Sequence, residues 1–177
     1  LKKIALRPIG NIDPWMLEGL SQALGATFSK AVDIKAPFDE LNHAYDPRRN
    51  QYLSTAFLEA MSMAQDEERA LGVCDIDLYV PGLNFVFGEA DPRRKRAVIS
   101  LYRLRQERYG LPREERLFAE RAGKEAIHEL GHTYGLGHCG DQSCVMHFSN
   151  SLPETDSKRA LFCESCNRKL KKDGVIK

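Results

Sequence analysis

The sequence predicts an α+β fold of α/β-like character, a mixed sheet backed by helices. Three observations carry this reading: a β-α-β opening, an antiparallel hairpin over residues 84–104, and a helix running from Pro112 to Gly135 without a breaker. Residues 3–9 alternate well enough for a first strand. Asp13-Pro14 then supplies an N-cap followed by proline at the first helical position. Trp15, Leu17, Leu20 and Leu24 give that helix an apolar side, and Gly25 offers a stop. Residues 27–34 read as the second strand, with Phe28, Val32 and Ile34 on one face.

Beyond a loose segment with Pro37 and the turn-like 46–49, residues 51–70 carry Leu53, Phe57, Ala60, Met61 and Ala64 on one helical stripe. Residues 73–80 follow as the third strand, and Pro81-Gly82 marks a turn. Strands over 84–90 and 97–104, joined by a polar corner at 91–95, form the hairpin appended to a β-α-β-α-β core. Residues 153–157 are expected to be a polar loop.

At 177 residues the chain suffices for one domain with its own core, expected to span 1–177. An N-terminal subdomain over 1–135 and a C-terminal subdomain over 136–177 divide it. No stretch approaches the roughly 18 apolar residues of a membrane span, so no membrane association is expected. A net charge of +1 provides no global field to draw nucleic acid. The N-terminal apolar run is broken by Arg7 and Pro8 too early for a signal-peptide core, which points to the cytoplasm and, with nothing to suggest assembly, to a monomer.

The chemistry concentrates on the long helix. His128-Glu129-Leu130-Gly131-His132 is an H-E-x-x-H motif. Four residues advance an α-helix by about 400°, so the two imidazoles stand roughly 40° apart and can reach one ion. Glu129 lies about 100° round from His128, where a carboxylate can meet water at the metal without being a ligand. A catalytic zinc takes three protein ligands and leaves one position open. Gly135 can turn the chain back through a left-handed conformation to deliver His138 as the third, completing H-E-x-x-H-x-x-G-x-x-H. A bare H-E-x-x-H is a weak signal, because paired helical histidines arise by coincidence; the two further fixed positions remove most of that ambiguity.

Four of the five cysteines, Cys139, Cys144, Cys163 and Cys166, fall in two close pairs. In a reducing compartment such spacing suits a tetrahedral structural zinc, with two disulfides or buried thiols as the alternatives. Because Cys139 adjoins His138, both centres must lie close in space. Leu152, Leu161 and Phe162 offer only a small apolar core for the C-terminal segment, so a second zinc would do much of its ordering. Cys74, inside an apolar strand, reads as a buried thiol.

His128 to His138 followed at once by Cys139, Cys144, Met146, Cys163 and Cys166 resembles the archaemetzincins, a family of the metzincin clan of zinc peptidases. The resemblance implies a metzincin-type twisted mixed sheet with an antiparallel edge strand, a backing helix and an active-site helix, plus a small zinc-bound C-terminal subdomain. It places Met146 in a turn beneath the catalytic zinc. It also implies that the edge strand, here 84–90, binds an extended peptide or small protein substrate by strand addition. Many metzincins carry a tyrosine just past that turn. This chain has His147-Phe148 there, leaving oxyanion stabilisation unassigned and the His147 N–H as a candidate.

The expected activity is peptide-bond hydrolysis, with two zinc ions and Glu129 as general base. Two other readings compete. One is a zinc-stabilised peptide-binding or regulatory protein without turnover, against which the base beside an open metal position counts. The other is a zinc-ribbon nucleic-acid module using the basic 168–172 segment, against which the near-neutral charge counts.

Overall fold

The computed structural model describes residues 2–39 and 41–176. In chain order the elements are β1 (Lys3–Pro8), α1 (Pro14–Phe28), β2 (Val32–Ile34), β3 (Tyr45–Asp46), β4 (Gln51–Leu53), α2 (Ser54–Ala60), β5 (Glu67–Cys74), β6 (Leu78–Tyr79), β7 (Gly88–Asp91), β8 (Arg96–Ser100), α3 (Glu115–Thr133), α4 (Leu152–Ser157) and α5 (Glu164–Lys172). The main sheet runs β2-β1-β5-β8-β7. Its first four strands are parallel, and β7 pairs antiparallel with β8 at the edge. β3, β4 and β6 make a second, three-stranded sheet.

Strand alternation divides the core into two layers. Ile4 and Leu6 of β1, Leu71 and Val73 of β5, and Ala97 and Ile99 of β8 face α1 and α3. Cys74 and Val98 face the opposite way, toward Phe57, Leu58 and Met61 around α2. The turn between β7 and β8 needs one residue at positive φ, Lys95 at 60°. The antiparallel edge strand is present but shorter than expected, Gly88–Asp91 rather than 84–90, and its partner ends at Ser100 rather than 104, where the chain turns into a short 3-10 segment over Tyr102–Leu104; no described helix is long and apolar enough to cross a membrane.

Several boundaries differ from the sequence expectation, each for a tertiary reason. α1 continues through Gly25 to Phe28, whose ring packs against Tyr134 and Phe162. The helix stops instead at Ser29, in the left-handed conformation at φ 53°, so the second strand shrinks to three residues. The helix expected over 51–70 breaks into β4, α2 and the start of β5, because Glu67–Cys74 is claimed by pairing with both β1 and β8. The strand expected over 73–80 accordingly splits between β5 and β6. Residues 153–157 lie within α4 rather than a loop.

The C-terminal segment is not built on a core of its own. Val145, Met146, Leu152, Phe162 and Leu170 join the cluster that includes α1, α3 and the sheet, whereas Leu161 is exposed. The basic 168–172 run lies in α5: Cys166 and Leu170 turn inward, and Lys169, Lys171 and Lys172 sit at the carboxyl end, where the helix dipole favours cations.

Candidate metal centre

α3 is buried continuously from Arg121 to Gly131, which is unusual for a stretch holding Arg121, Lys124, Glu125 and Glu129. Each of the two cations has a partner. Arg121 grips Asp156 of α4 through two bonds of 2.6 Å and donates to the Leu104 carbonyl. Lys124 donates to the carbonyls of Thr155 and Asp156. The helix thus reaches its site position clamped to α4 on one side and packed on the sheet on the other. It ends at Tyr134, and Gly135 takes φ 88°, a conformation costly for a residue with a Cβ, to send the chain back toward the helix.

That return brings the three histidines together. The ring nitrogens of His128, His132 and His138 lie within 4.8 Å of one another, and the His128 ring is 4.6 Å from His132 and 5.4 Å from His138, centroid to centroid. His128 Nδ1 sits 2.8 Å from the Val145 carbonyl, and His132 Nδ1 2.8 Å from the Leu136 carbonyl. A carbonyl oxygen only accepts, so each Nδ1 carries the proton and each Nε2 presents a lone pair. The two Nε2 atoms face each other at 3.0 Å. Opposed lone pairs at that distance repel unless a cation lies between or beside them, and tetrahedral zinc with Zn–N of about 2.1 Å would set its nitrogens roughly 3.4 Å apart. The donor set therefore fits zinc.

Electrostatics keep these rings in the metal-binding form. Burial, with help from the Lys158 charge, pushes His128 down to about 3, although the Val145 carbonyl opposes it. Burial lowers His132 and His138 as well. Glu129 is driven the other way, well above the usual carboxylate range, first by burial and then by the neighbouring Glu125 and Glu89 carboxylates.

Two glycines allow the close packing. A Cβ on Gly88 of β7 would fall 2.6 Å from Glu129 Cγ and 2.7 Å from the Val98 carbonyl, so the edge strand lies directly on the acid. A Cβ on Gly131 would fall 2.5 Å from Met146 Sδ, which shows Met146 buried against the helix between the two motif histidines. The turn that holds it is closed by the His147 N–H donating to Cys144 and tied to the loop by Cys139 N–H donating to the Met146 carbonyl. His147 itself is engaged elsewhere: its Nδ1 donates to the Cys139 carbonyl at 2.8 Å, and it is not among the residues lining the cleft. Phe148, half exposed, packs edge-on against His138 and does line it.

The cysteines gather behind this turn. All four Sγ atoms lie within 4.8 Å of one another, with Cys139 and Cys163 at 3.7 Å and Cys144 and Cys166 at 3.9 Å. A disulfide requires about 2.05 Å. Four thiolates around tetrahedral zinc at about 2.3 Å sit roughly 3.8 Å apart, so this set also fits zinc. Cys163 is the N-cap of α5, and the backbone N–H of Cys166 draws its thiol down to about 7. Burial raises Cys144 and Cys166. Cys74 belongs to neither set; it is buried, its thiol 3.4 Å from the Ile99 carbonyl.

Two residues escaped the sequence reading, Glu125, which lines the cleft, and Lys158, which lies behind it. Glu125 stands one turn before Glu129 on the same helix face, so helical spacing could have flagged it. Its partner Lys158, 33 residues away and with no exposed side-chain surface, carried no local signal.

A mixed sheet whose edge strand overlies a helix bearing clustered histidines and an adjacent acid is the arrangement of a zinc-dependent peptidase. The chain from 29 to 172 matches the model of Peptidase family M54. It is 46% identical over 175 residues to the archaemetzincin of Pyrococcus furiosus, covering 94% of this chain and 91% of that one. The crystal structure of archaemetzincin from Methanopyrus kandleri superposes with a TM-score of 0.86 at 38% identity, covering 97% of this chain and 94% of that one. That of Archaeoglobus fulgidus archaemetzincin, complexed with malonate, gives 0.84 at 37% identity, covering 94% and 99%. The chain belongs to peptidase family M54, the archaemetzincins, and is a zinc metallopeptidase.

Proposed function

We propose that His128, His132 and His138 hold a catalytic zinc, that Cys139, Cys144, Cys163 and Cys166 hold a second, structural zinc, and that Glu129 is the general base of peptide-bond hydrolysis. The observation that carries the reading is the pair of Nε2 lone pairs opposed at 3.0 Å, an arrangement that calls for a cation. Zinc in that position supplies Lewis acidity, making water acidic near neutral pH and polarising a carbonyl.

The protein's own contribution is positional. Glu129 lines the cleft beside His128 and His132, with no hydrogen bond from the described residues tying up its carboxylate, and its raised affinity for a proton suits a group that takes one from attacking water and passes it to the leaving amine. β7 presents its free edge along the same cleft, so an extended peptide can add as a further strand with its backbone held over Glu129. Residues 1–135 would form the upper part of one catalytic domain and 136–177 the lower, cysteine-bound part.

Replacing Glu129 by alanine is the test. The variant is expected to keep two zincs per chain by elemental analysis while peptide cleavage falls by at least about 100-fold, the low end of what a positioned base contributes. Turnover near the wild-type rate would remove Glu129 from this role.

A further inference from the structure

The cleft beside the histidines encloses about 530 Å³, and its walls and its floor differ in chemistry. Leu83, Phe85, Phe87, Leu136 and Phe148 make the walls apolar. Glu125 also lines it, although only 3% of that residue is exposed. Its Oε1 takes three donors: Lys158 Nζ at 3.3 Å, Thr155 Oγ1 at 3.4 Å and Ser149 Oγ at 3.5 Å. Among the described residues no donor reaches Oε2. That oxygen is not among the fully buried unpartnered polar atoms, so it borders the cleft, where a ligand can supply the donor.

Among the described residues the lining contains no lysine or arginine. Lys158 lies behind Glu125, its side chain wholly covered, donating also to the His147 carbonyl. A second carboxylate of the lining, Glu89, is held by the hydroxyls of Ser54 and Thr55 and, among the described residues, by no cation. With Lys158 counterbalancing Glu125 and the proposed zinc counterbalancing Glu129 and Glu89, the cavity is close to neutral overall, so what distinguishes its floor is the placement of Glu125 as a hydrogen-bond acceptor beyond the zinc.

We infer that Glu125 is a specificity-determining residue: the cavity accepts a substrate side chain with an aliphatic stem and a cationic head, lysine or arginine, next to the scissile bond. The stem lies along the apolar walls and the head donates to Glu125 Oε2. An acidic side chain placed along the same walls sets its carboxylate against Glu125 and is disfavoured there. The inference rests on the proposed catalytic centre for its register with the scissile bond.

The test compares peptides blocked at both ends, so that charge resides on the side chain alone, carrying lysine, norleucine or glutamate on either side of one bond. Norleucine keeps the stem and drops the ammonium. With the zinc-loaded protein, kcat/KM for lysine is expected to exceed that for norleucine by about tenfold or more, as one charge-assisted hydrogen bond provides, with glutamate lowest. Calorimetric affinities for the Glu129→Ala protein should rank the peptides in the same order. In the double variant Glu125→Gln/Lys158→Met, which removes both charges at similar volume and leaves none buried unpaired, the lysine-to-norleucine ratio should fall close to one. Equal handling of lysine and norleucine by the wild-type protein overturns the inference without any variant, and so does a ratio unchanged in the double variant. Tighter binding of the lysine peptide with no cleavage of any peptide would sustain the inference while removing the hydrolytic reading beneath it.

Discussion

The histidine and cysteine clusters lie against the same turn but are held there by different means. His128 and His132 ride on a 19-residue helix whose inner half is entirely buried, and their Nδ1 atoms are tied to backbone carbonyls. The four cysteines come from a loop, a turn and the first turn of a nine-residue helix, with the short α4 between them in the chain. Packing orients the first pair before any metal arrives. Under the proposed assignment, zinc at the cysteines would complete what packing begins, and the third histidine, His138, would depend on it: Cys139 follows it in the chain and is tied by its N–H to the Met146 carbonyl. The Val145 carbonyl that accepts from His128 lies in the same turn, next to Cys144.

The largest effect should therefore come from the cysteines. Structural zinc is worth roughly 10–16 kcal/mol in isolated fingers, comparable with the whole stability of a typical domain, about 5–15 kcal/mol. The double variant Cys163→Ser/Cys166→Ser is expected to lose hydrogen-exchange protection over 136–176 while β1, β5 and β8 retain theirs. It should also lose the histidine-bound zinc, bringing elemental analysis to near zero rather than one per chain. A variant that keeps one tightly held zinc would show the histidine centre to be independent of its neighbour.

A smaller and more local loss is expected from His138→Ala. Removing a direct ligand should weaken the histidine-site zinc by more than the 10- to 100-fold, approximately, that follows loss of an outer-shell partner. The cysteine zinc and the exchange protection of 136–176 should persist. Competition with a chelator reads the first quantity and exchange the second. If 136–176 opened as well, the dependence would run in both directions and the contrast between the centres would fail.

Both clusters were legible in the sequence because their information is local. Two histidines one helical turn apart share a face whatever the rest of the chain does, and a glycine three residues beyond the second can turn the chain back. The middle of the molecule was not legible in that way. The Leu53, Phe57, Ala60 and Met61 stripe is helical in period, yet the helix ends at Ala60 because β5 has strand partners on both sides, far off in sequence. Gly25 reads as a stop but sits inside α1, and the turn falls to Ser29 once Phe28 is drawn into the core. The Glu125–Lys158 pair was equally hidden, since nothing near Lys158 indicates that its ammonium is buried against α3.

The smallest predicted effect is in the half held by packing. Glu67 opens β5, and its carboxylate bonds Arg7 of β1 at 2.9 Å, Lys35 just past β2 at 3.2 Å and the Ala64 N–H at 2.9 Å. Burial alone would raise its pKa, but the Ala64 N–H and the two cations together outweigh it and hold the group below its ordinary value. A depressed carboxylate contributes stability that is fully present above its unfolded pKa, about 4.5, and is lost as pH falls through the folded value. Arg7 and Lys35 are partly exposed, so the contribution is screened to about 1–2 kcal/mol. Glu67→Gln should thus be less stable than wild type by that amount at pH 7, and the gap should narrow once pH falls below 4.5 and close as it passes through the folded value. Acid also strips zinc, but equally from both proteins, so the difference between their urea midpoints isolates the carboxylate. A gap that stayed constant down to pH 3 would mean that Glu67 acts through shape rather than charge, leaving no electrostatic part in the holding of the sheet.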